Sequence, residues 1–352
     1  MILKIIFSFA ASIIKFFLIL FFMNSALFAK ETIKYYPKDH GVVSIMYHRF
    51  NENKYPSTNI KIDVFKKQLE LIDKNNIEYY DPAKFDIEFN NPKTNKKILI
   101  TIDDAFSSFY ENAWPILKER KIPFILFVST EPVGKSGYMN WEQIKEVASY
   151  DFAHIGNHSH THEYLLNFSY FEFENDIKKS MKIFKEKLGY NSIFFSYPFG
   201  EYNLRQTRFI KKKFKYGFGQ HSGVIDLSKN QYELPRFPIN EKYGDLERFE
   251  FILKLFPIPY MDLRPEDKFI TKLQNPPIVE IDFFDEQKYI KNINCFSNEG
   301  DQWRNSIMKF KENTLKINFR EKFSFRRGRV NCSIKDGDIW RWLGIQMSVE
   351  VN

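Results

Sequence analysis

The chain has 352 residues, 43% of them apolar, which is enough for one large domain with a real core and a smaller second one. Its 52 Lys and Arg against 44 Asp and Glu give a net charge of +8, scattered in short runs such as Lys211 to Lys213 and Arg326 to Arg327. No RNA-binding signature or zinc-finger spacing stands beside it, which argues against a nucleic-acid partner; the modest basic excess suits an acidic glycan or an anionic envelope surface.

The first 29 residues differ from the rest. Lys4 precedes an apolar stretch from Ile5 to Met23, broken only by Ser8, Ser12 and Lys15. Small residues end it at Ala29, and charged Lys30 and Glu31 follow. A basic start, an apolar middle and a small-residue exit read as a secretory signal peptide. Leu27 suits the −3 position of a cleavage site poorly, so an uncleaved membrane anchor stays open. Either way the expected location is periplasmic or extracellular, with membrane contact only through this segment. Cys295 and Cys332 are the two cysteines, and in an exported protein they are disulfide candidates.

Apolar runs and helical patterns then alternate. Val42 to Tyr47 reads as a buried strand, and Ile62, Phe65, Leu69 and Ile72 recur on one helical face. Ile98 to Ile102 is the next strand, with a helix from Pro115 to Arg120 after it. Pro123 to Ser129 is a strand, Trp141 to Ser149 a helix, and His154 begins another strand. Ser169 and Glu172 form a capping box for a helix that stops at Gly189; strands at Ile193 to Tyr197 and Tyr216 to Gly219 follow. This alternation predicts parallel βαβ units, in a barrel or an open sheet, over residues 30–255. Pro257, Pro259, Pro265, Pro276 and Pro277 mark residues 256–277 as a Pro-rich connection. Beyond it the β-rich runs of residues 278–352 predict a small antiparallel β domain, carrying Trp303, Trp340 and Trp342.

Two clusters carry chemistry. Asp103 and Asp104 end the strand from Ile98 to Ile102, and sites in parallel α/β folds assemble at the carboxyl ends of strands. Taken alone, such a pair also fits a helix N-cap. The second cluster is His158-Ser159-His160-Thr161-His162. His158 and His162 stand one helical turn apart, so both rings can reach one ion, and a carboxylate completes a three-ligand open site.

These residues resemble the polysaccharide deacetylase family, also called carbohydrate esterase family 4 or the NodB-homology domain. Its first motif, T-F-D-D-G, stands here as Thr101-Ile102-Asp103-Asp104-Ala105. Its second, H-[ST]-x-x-H, is met in full by residues 158 to 162, and its third, R-x-P-[FY], by Ser196-Tyr197-Pro198-Phe199 in all but the first position. The segment from Tyr47 to Phe50 is similar to the start of one branch of the family. The resemblance implies a distorted (β/α) barrel with fewer than eight complete units. It implies a divalent metal, zinc above all, on Asp104, His158 and His162, with Asp103 as catalytic base. Pro198 and Phe199 would line the substrate groove, and the backbone near Tyr197 would donate to the oxyanion. The implied activity is hydrolysis of N-acetyl groups from an exopolysaccharide or peptidoglycan, releasing acetate.

The departures generate expectations of their own. Ser196 replaces the arginine that orients the base, and Arg236 is the expected substitute. The late L-x-H motif that supplies the general acid is absent; His221 is the one histidine after His162 and is the expected acid, with His48 as alternative acid or substrate contact. A glycan-binding protein that keeps the fold without turnover is the rival reading. A metal-dependent amidohydrolase fits poorly because its further histidines are missing, and a serine hydrolase because no G-x-S-x-G elbow occurs.

Overall fold

Six strands run parallel in chain order: β1 (Val42–Tyr47), β2 (Lys97–Ile102), β3 (Phe124–Val128), β4 (Ala153–Asn157), β5 (Phe194–Ser196) and β6 (Tyr216–Phe218). Almost every residue of these strands is buried, since helices cover their outer faces, and they therefore read as continuous apolar runs. The computed structural model describes residues 40–90 and 96–350, so the segment expected to be a signal peptide or anchor, residues 1–29, lies outside the described residues. Among the described residues no helix is long and apolar enough to cross a membrane.

The crossovers are helical: α1 (Ile62–Lys74), α2 (Trp114–Arg120), α3 (Trp141–Ala148), α4 (Tyr170–Leu188) and α5 (Leu204–Lys211). Phe65, Leu69 and Ile72 of α1 are buried, as their spacing predicts. On α4 the Ser169–Glu172 capping box is formed, and Gly189 ends the helix in the left-handed conformation at φ 82°, where a Cβ would be strained.

Residues 234–238 turn this curled sheet into a distorted barrel. Leu234 bridges Phe218 at the end of β6, and Phe237 pairs with Ile45 of β1. The last strand is thereby joined to the first without a full eighth unit, the fold class expected from the motifs. On β1, β7 (Val224–Ile225) pairs antiparallel with Val42 and Val43, and β8 (Phe237–Pro238) parallel with Ile45 and Met46.

After α6 (Leu246–Leu253), two further sheets follow. One runs β9 (Leu255–Pro257), β17 (Ile339–Val349), β16 (Arg327–Asp336), β13 (Asn294–Ser297), with β11 (Phe269–Ile270) also on β17. The other runs β10 (Asp262–Arg264), β12 (Val279–Asp282), β15 (Thr314–Asn318), β14 (Ile307–Lys311). Alternate residues of β12, β15 and β16 point into one apolar core that includes Val279, Ile281, Leu315, Ile317, Val330 and Ile334. Cys295 and Cys332 face each other across β13 and β16 and form a disulfide.

The Pro-rich stretch corrects the expected connection at residues 256–277. It contributes β9, β10 and β11 to these sheets. Proline cannot donate to a ladder, and these three short strands lie at sheet margins where that donor is not needed. Trp340 and Trp342 do share a strand face, but they pack toward the barrel, on Phe251 and Phe237.

Candidate active site and its relatives

Asp103 and Asp104 leave the end of β2. Asp103 continues the strand, its N–H donating to the Tyr47 carbonyl at 2.9 Å. The chain then turns through left-handed residues, Asp104 at φ 73° and Ala105 at φ 52°. That conformation costs a Cβ-bearing residue about 1 kcal/mol and is held in place by its surroundings. It swings Asp104 toward the histidines instead of letting it alternate to the far face of the sheet.

The histidine loop leaves β4 and is held by its own polar side chains. Asn157 Oδ1 accepts from the Ser159 N–H at 2.9 Å, and Ser159 Oγ accepts from the His162 N–H at 3.1 Å. Asp176 of α4 accepts from the N–H groups of His160 and Thr161, at 2.8 and 3.0 Å, and from the Thr161 hydroxyl at 2.7 Å. The middle histidine turns away, its Nδ1 2.8 Å from the Thr130 hydroxyl. His158 and His162 are left facing Asp104, at 3.5 and 3.0 Å.

His158 Nδ1 donates to the Ser196 carbonyl at 2.7 Å, which fixes the tautomer and aims a bare Nε2 at the acids. Burial pushes this imidazole down to about 4 despite the pull of Asp103. His162 goes the other way: burial lowers it, but Asp104 more than compensates and raises it above the ordinary histidine value. For Asp104, burial is outweighed by His162, His48 and His158, which hold the carboxyl below the ordinary range.

The three donor sets of Asp104, His158 and His162 lie within 4.8 Å of one another. His158 Nε2 is buried without a hydrogen-bond partner, and buried Asp104 Oδ1 has the His162 ring at 3.0 Å but no well-aligned hydrogen bond. Such buried acceptors are costly, and a divalent cation between them satisfies both. One carboxylate with two imidazoles is a donor set suited to zinc, so the residues fit the expected ion.

Asp103 is fully buried and is gripped by Arg236. Nη1 donates to Oδ1 at 2.6 Å and Nη2 to Oδ2 at 2.8 Å. The guanidinium is held in turn by the Ser196 hydroxyl at 2.7 Å, the Thr101 hydroxyl at 3.2 Å and the Gly219 carbonyl at 2.9 Å. Burial alone would raise the Asp103 carboxyl, yet Arg236 and His158 reverse this and keep it ionised. Arg236 reaches this place because it lies on the segment that closes the barrel. The structure thus brings together Asp103, Asp104, His158, His162 and Arg236, with His48 close enough to lower both carboxyls.

Three expected contacts come out differently. His221 borders a cavity with Tyr202, Glu233, Lys268 and Gln346, and neither Asp103, Asp104, His158 nor His162 lines it. Desolvation, with Lys268 and Arg236 nearby, pushes its imidazole down to about 3, which disfavours the imidazolium that a general acid requires. Tyr197 is buried against Phe195 and Tyr202, and its N–H donates to the Phe218 carbonyl at 3.0 Å, which removes it as an oxyanion donor. Pro198 is buried beneath the surface. Phe199 does reach the site: it is half-buried, its ring edge-on to His162 at 4.9 Å and stacked on Tyr164 at 4.1 Å. The motifs gave no hint of Asp176 or Tyr164, since their roles depend on how α4 and the loop before it fold back.

A polysaccharide deacetylase family profile matches residues 90–218. The poly-β-1,6-N-acetyl-D-glucosamine N-deacetylase of Staphylococcus aureus (strain MSSA476) is 28% identical over 173 residues, 45% of this chain and 58% of that enzyme. The matched part is therefore less than two thirds of that relative. IcaB from Ammonifex degensii superposes with a TM-score of 0.55 at 24% identity, over 61% of this chain and 98% of that one. Streptococcus pyogenes deacetylase PplD, solved in complex with acetate, gives a TM-score of 0.53 at 22% identity, over 58% and 94%. At such identities the two structures speak for the fold. The first two motifs, which build the acid and histidine cluster, both fall inside the profile's span, so residues 90–218 resemble the polysaccharide deacetylase family where its chemistry lies.

Proposed function

We propose that this protein is a metal-dependent N-deacetylase of an extracytoplasmic polysaccharide built from N-acetylhexosamine. The observation that carries the reading is Asp103, an ionised carboxylate in a bidentate pair with Arg236, set 3.8 Å from a histidine of the Asp104, His158 and His162 cluster. A protein that only binds glycan needs no such oriented base.

A divalent ion on Asp104, His158 and His162, zinc in this reading, supplies Lewis acidity toward a water and toward the acetamide carbonyl when bound. Asp103 takes the proton of the attacking water, and Arg236 keeps its carboxylate ionised and in one orientation. His48 becomes the proton donor to the leaving amine, since its charge reaches both Asp103 and Asp104 while His221 lines a separate cavity. Phe199 offers a half-exposed aromatic face beside His162 on which a sugar ring can stack. The products are acetate and a free amine on the sugar.

The name of the Staphylococcus aureus relative favours poly-β-1,6-N-acetylglucosamine over peptidoglycan as the substrate. The disulfide and the apolar leader support export to the periplasm or beyond, where disulfides persist. Acetate release from oligomers of β-1,6-linked N-acetylglucosamine and from peptidoglycan, each with added zinc, tests the assignment. Release from the first alone fits it, and release from the second alone overturns the substrate choice. No release from either, with zinc bound, leaves the glycan-binding reading.

A further inference from the structure

Arg326 precedes β16 in the C-terminal sheets, and its guanidinium crosses to the barrel. Nη2 donates to Glu201 Oε2 at 3.0 Å and to Asn167 Oδ1 at 3.2 Å. Glu201 is 2% exposed and has Arg327 at 3.7 Å as a second cation. A carboxylate buried to this degree depends on its partners, which makes this joint between the sheets and the barrel a fixed one.

The same guanidinium lies over the Tyr164 ring, 4.0 Å from its centroid. The Tyr164 ring stacks on Phe199 at 4.1 Å with an angle of 19° between the planes. Phe199 packs edge-on against His162 at 4.9 Å. Its backbone is left-handed, φ 58° and ψ 4°, a conformation that an aromatic residue keeps only where neighbours hold it. An unbroken run of guanidinium, phenol, phenyl and imidazole therefore leads from the C-terminal sheets to the metal-site histidine.

We infer that Arg326 is a positioning residue for substrate: through it the C-terminal sheets hold the Tyr164–Phe199 stack in the place where the glycan ring beside the scissile acetamide is received. The inference rests on the deacetylase reading and gives the C-terminal sheets a part in the site. Arg326 touches neither the base nor the metal-site residues. His162 is separately held by Asp104 and by Ser159, so the loss falls on substrate affinity and spares metal affinity.

The test uses full-length, zinc-loaded protein and a β-1,6-linked N-acetylglucosamine hexamer. Arg326→Ala is expected to raise KM about tenfold with kcat within about twofold of wild type, the span of one lost aromatic contact. Tyr164→Ala combined with Arg326→Ala is expected to be no worse than the worse single variant, because both act on one stack. Multiplying effects, an unchanged KM, or a fall in kcat and zinc affinity that tracks melting temperature would each overturn the inference. If the wild type deacetylates no glycan, the parent reading and the substrate role fail together, and amide hydrogen exchange then tests only the hold of Arg326 on the Tyr164–Phe199 stack. Faster exchange at residues 197–203 in Arg326→Ala, with β2 unchanged, supports it; unchanged exchange there overturns it.

Discussion

Arg236 and Asp103 meet through two parallel hydrogen bonds of 2.6 and 2.8 Å, both side chains wholly buried, although 133 residues separate them in the chain. Ser196 Oγ, at the motif position of the missing arginine, lies 2.7 Å from the same guanidinium. The arginine has moved to the barrel-closing segment while its charge stays in place.

Removing it strands a buried carboxylate. Arg236→Ala is expected to lower acetate release by about 10- to 100-fold and stability by about 3–5 kcal/mol. Arg236→Lys cannot remake the bidentate pair and should recover little. Ser196→Arg in the Arg236→Ala background should restore release, since a guanidinium from position 196 can reach the same carboxylate. Full activity in Arg236→Ala alone would contradict the role.

The acid limb of stability follows from the same pair. The Asp103 carboxyl is depressed in the folded state, so its contribution is present above the ordinary aspartate value, about 3.9, and is lost as pH falls through the lower folded value. Resistance of the wild type to denaturant should weaken below about pH 4. The Arg236→Ala variant should show less of that acid loss.

Two histidine variants separate the proton donors. His48→Asn should cut turnover by about 10²- to 10⁴-fold while zinc still binds, the range of a lost general acid. His221→Asn should leave turnover unchanged, because that ring lies in the cavity beside Lys268. The reverse pattern in acetate release would return the acid role to His221.

Zinc uptake should depend on pH. In the metal-free protein the His162 imidazole is raised by Asp104, so protons compete with the ion at a higher pH than for a free imidazole. That histidine's own contribution to metal-free stability is present below the unfolded value of about 6.5 and fades as pH rises through the folded value. The rise in melting temperature on adding zinc should therefore grow from pH 6 to pH 8. A zinc-induced rise that does not change over this range would contradict the ligand set.

The disulfide closes a sequence separation of 37 residues. The chain-entropy relation puts its worth at about 4 kcal/mol. Reduction, or Cys295→Ala with Cys332→Ala, should lower the denaturant midpoint accordingly. No change would show that the two sheets hold without it.

What could be read ahead of the structure was whatever repeats locally. The parallel strands showed as apolar runs, and Asp104, His158 and His162 showed because a strand end and a dense run of histidines bring their chemistry into view, although the loop from His158 to His162 is not the helical turn their spacing suggested. Arg236 was reachable only as the substitute for a missing motif arginine, since its place depends on Leu234 and Phe237 closing the barrel. His221 misled because counting histidines does not tell which side of Arg236 a loop passes. Tyr197 misled because barrel pairing with Phe218 had already occupied its N–H. The prolines of residues 256–277 suggested a connector, whereas marginal strands tolerate them. Arg326 gave no local sign at all, because its partners Glu201 and Tyr164 belong to the barrel.

The most direct test of the central claim is acetate release by wild type and Asp103→Asn, each stripped of metal and then titrated with zinc. The account predicts equal zinc stoichiometry in both, release restored in the wild type, and release lower by about 10²- to 10⁴-fold in the variant. Release by Asp103→Asn at the wild-type rate, or by the wild type with no metal present, would contradict it.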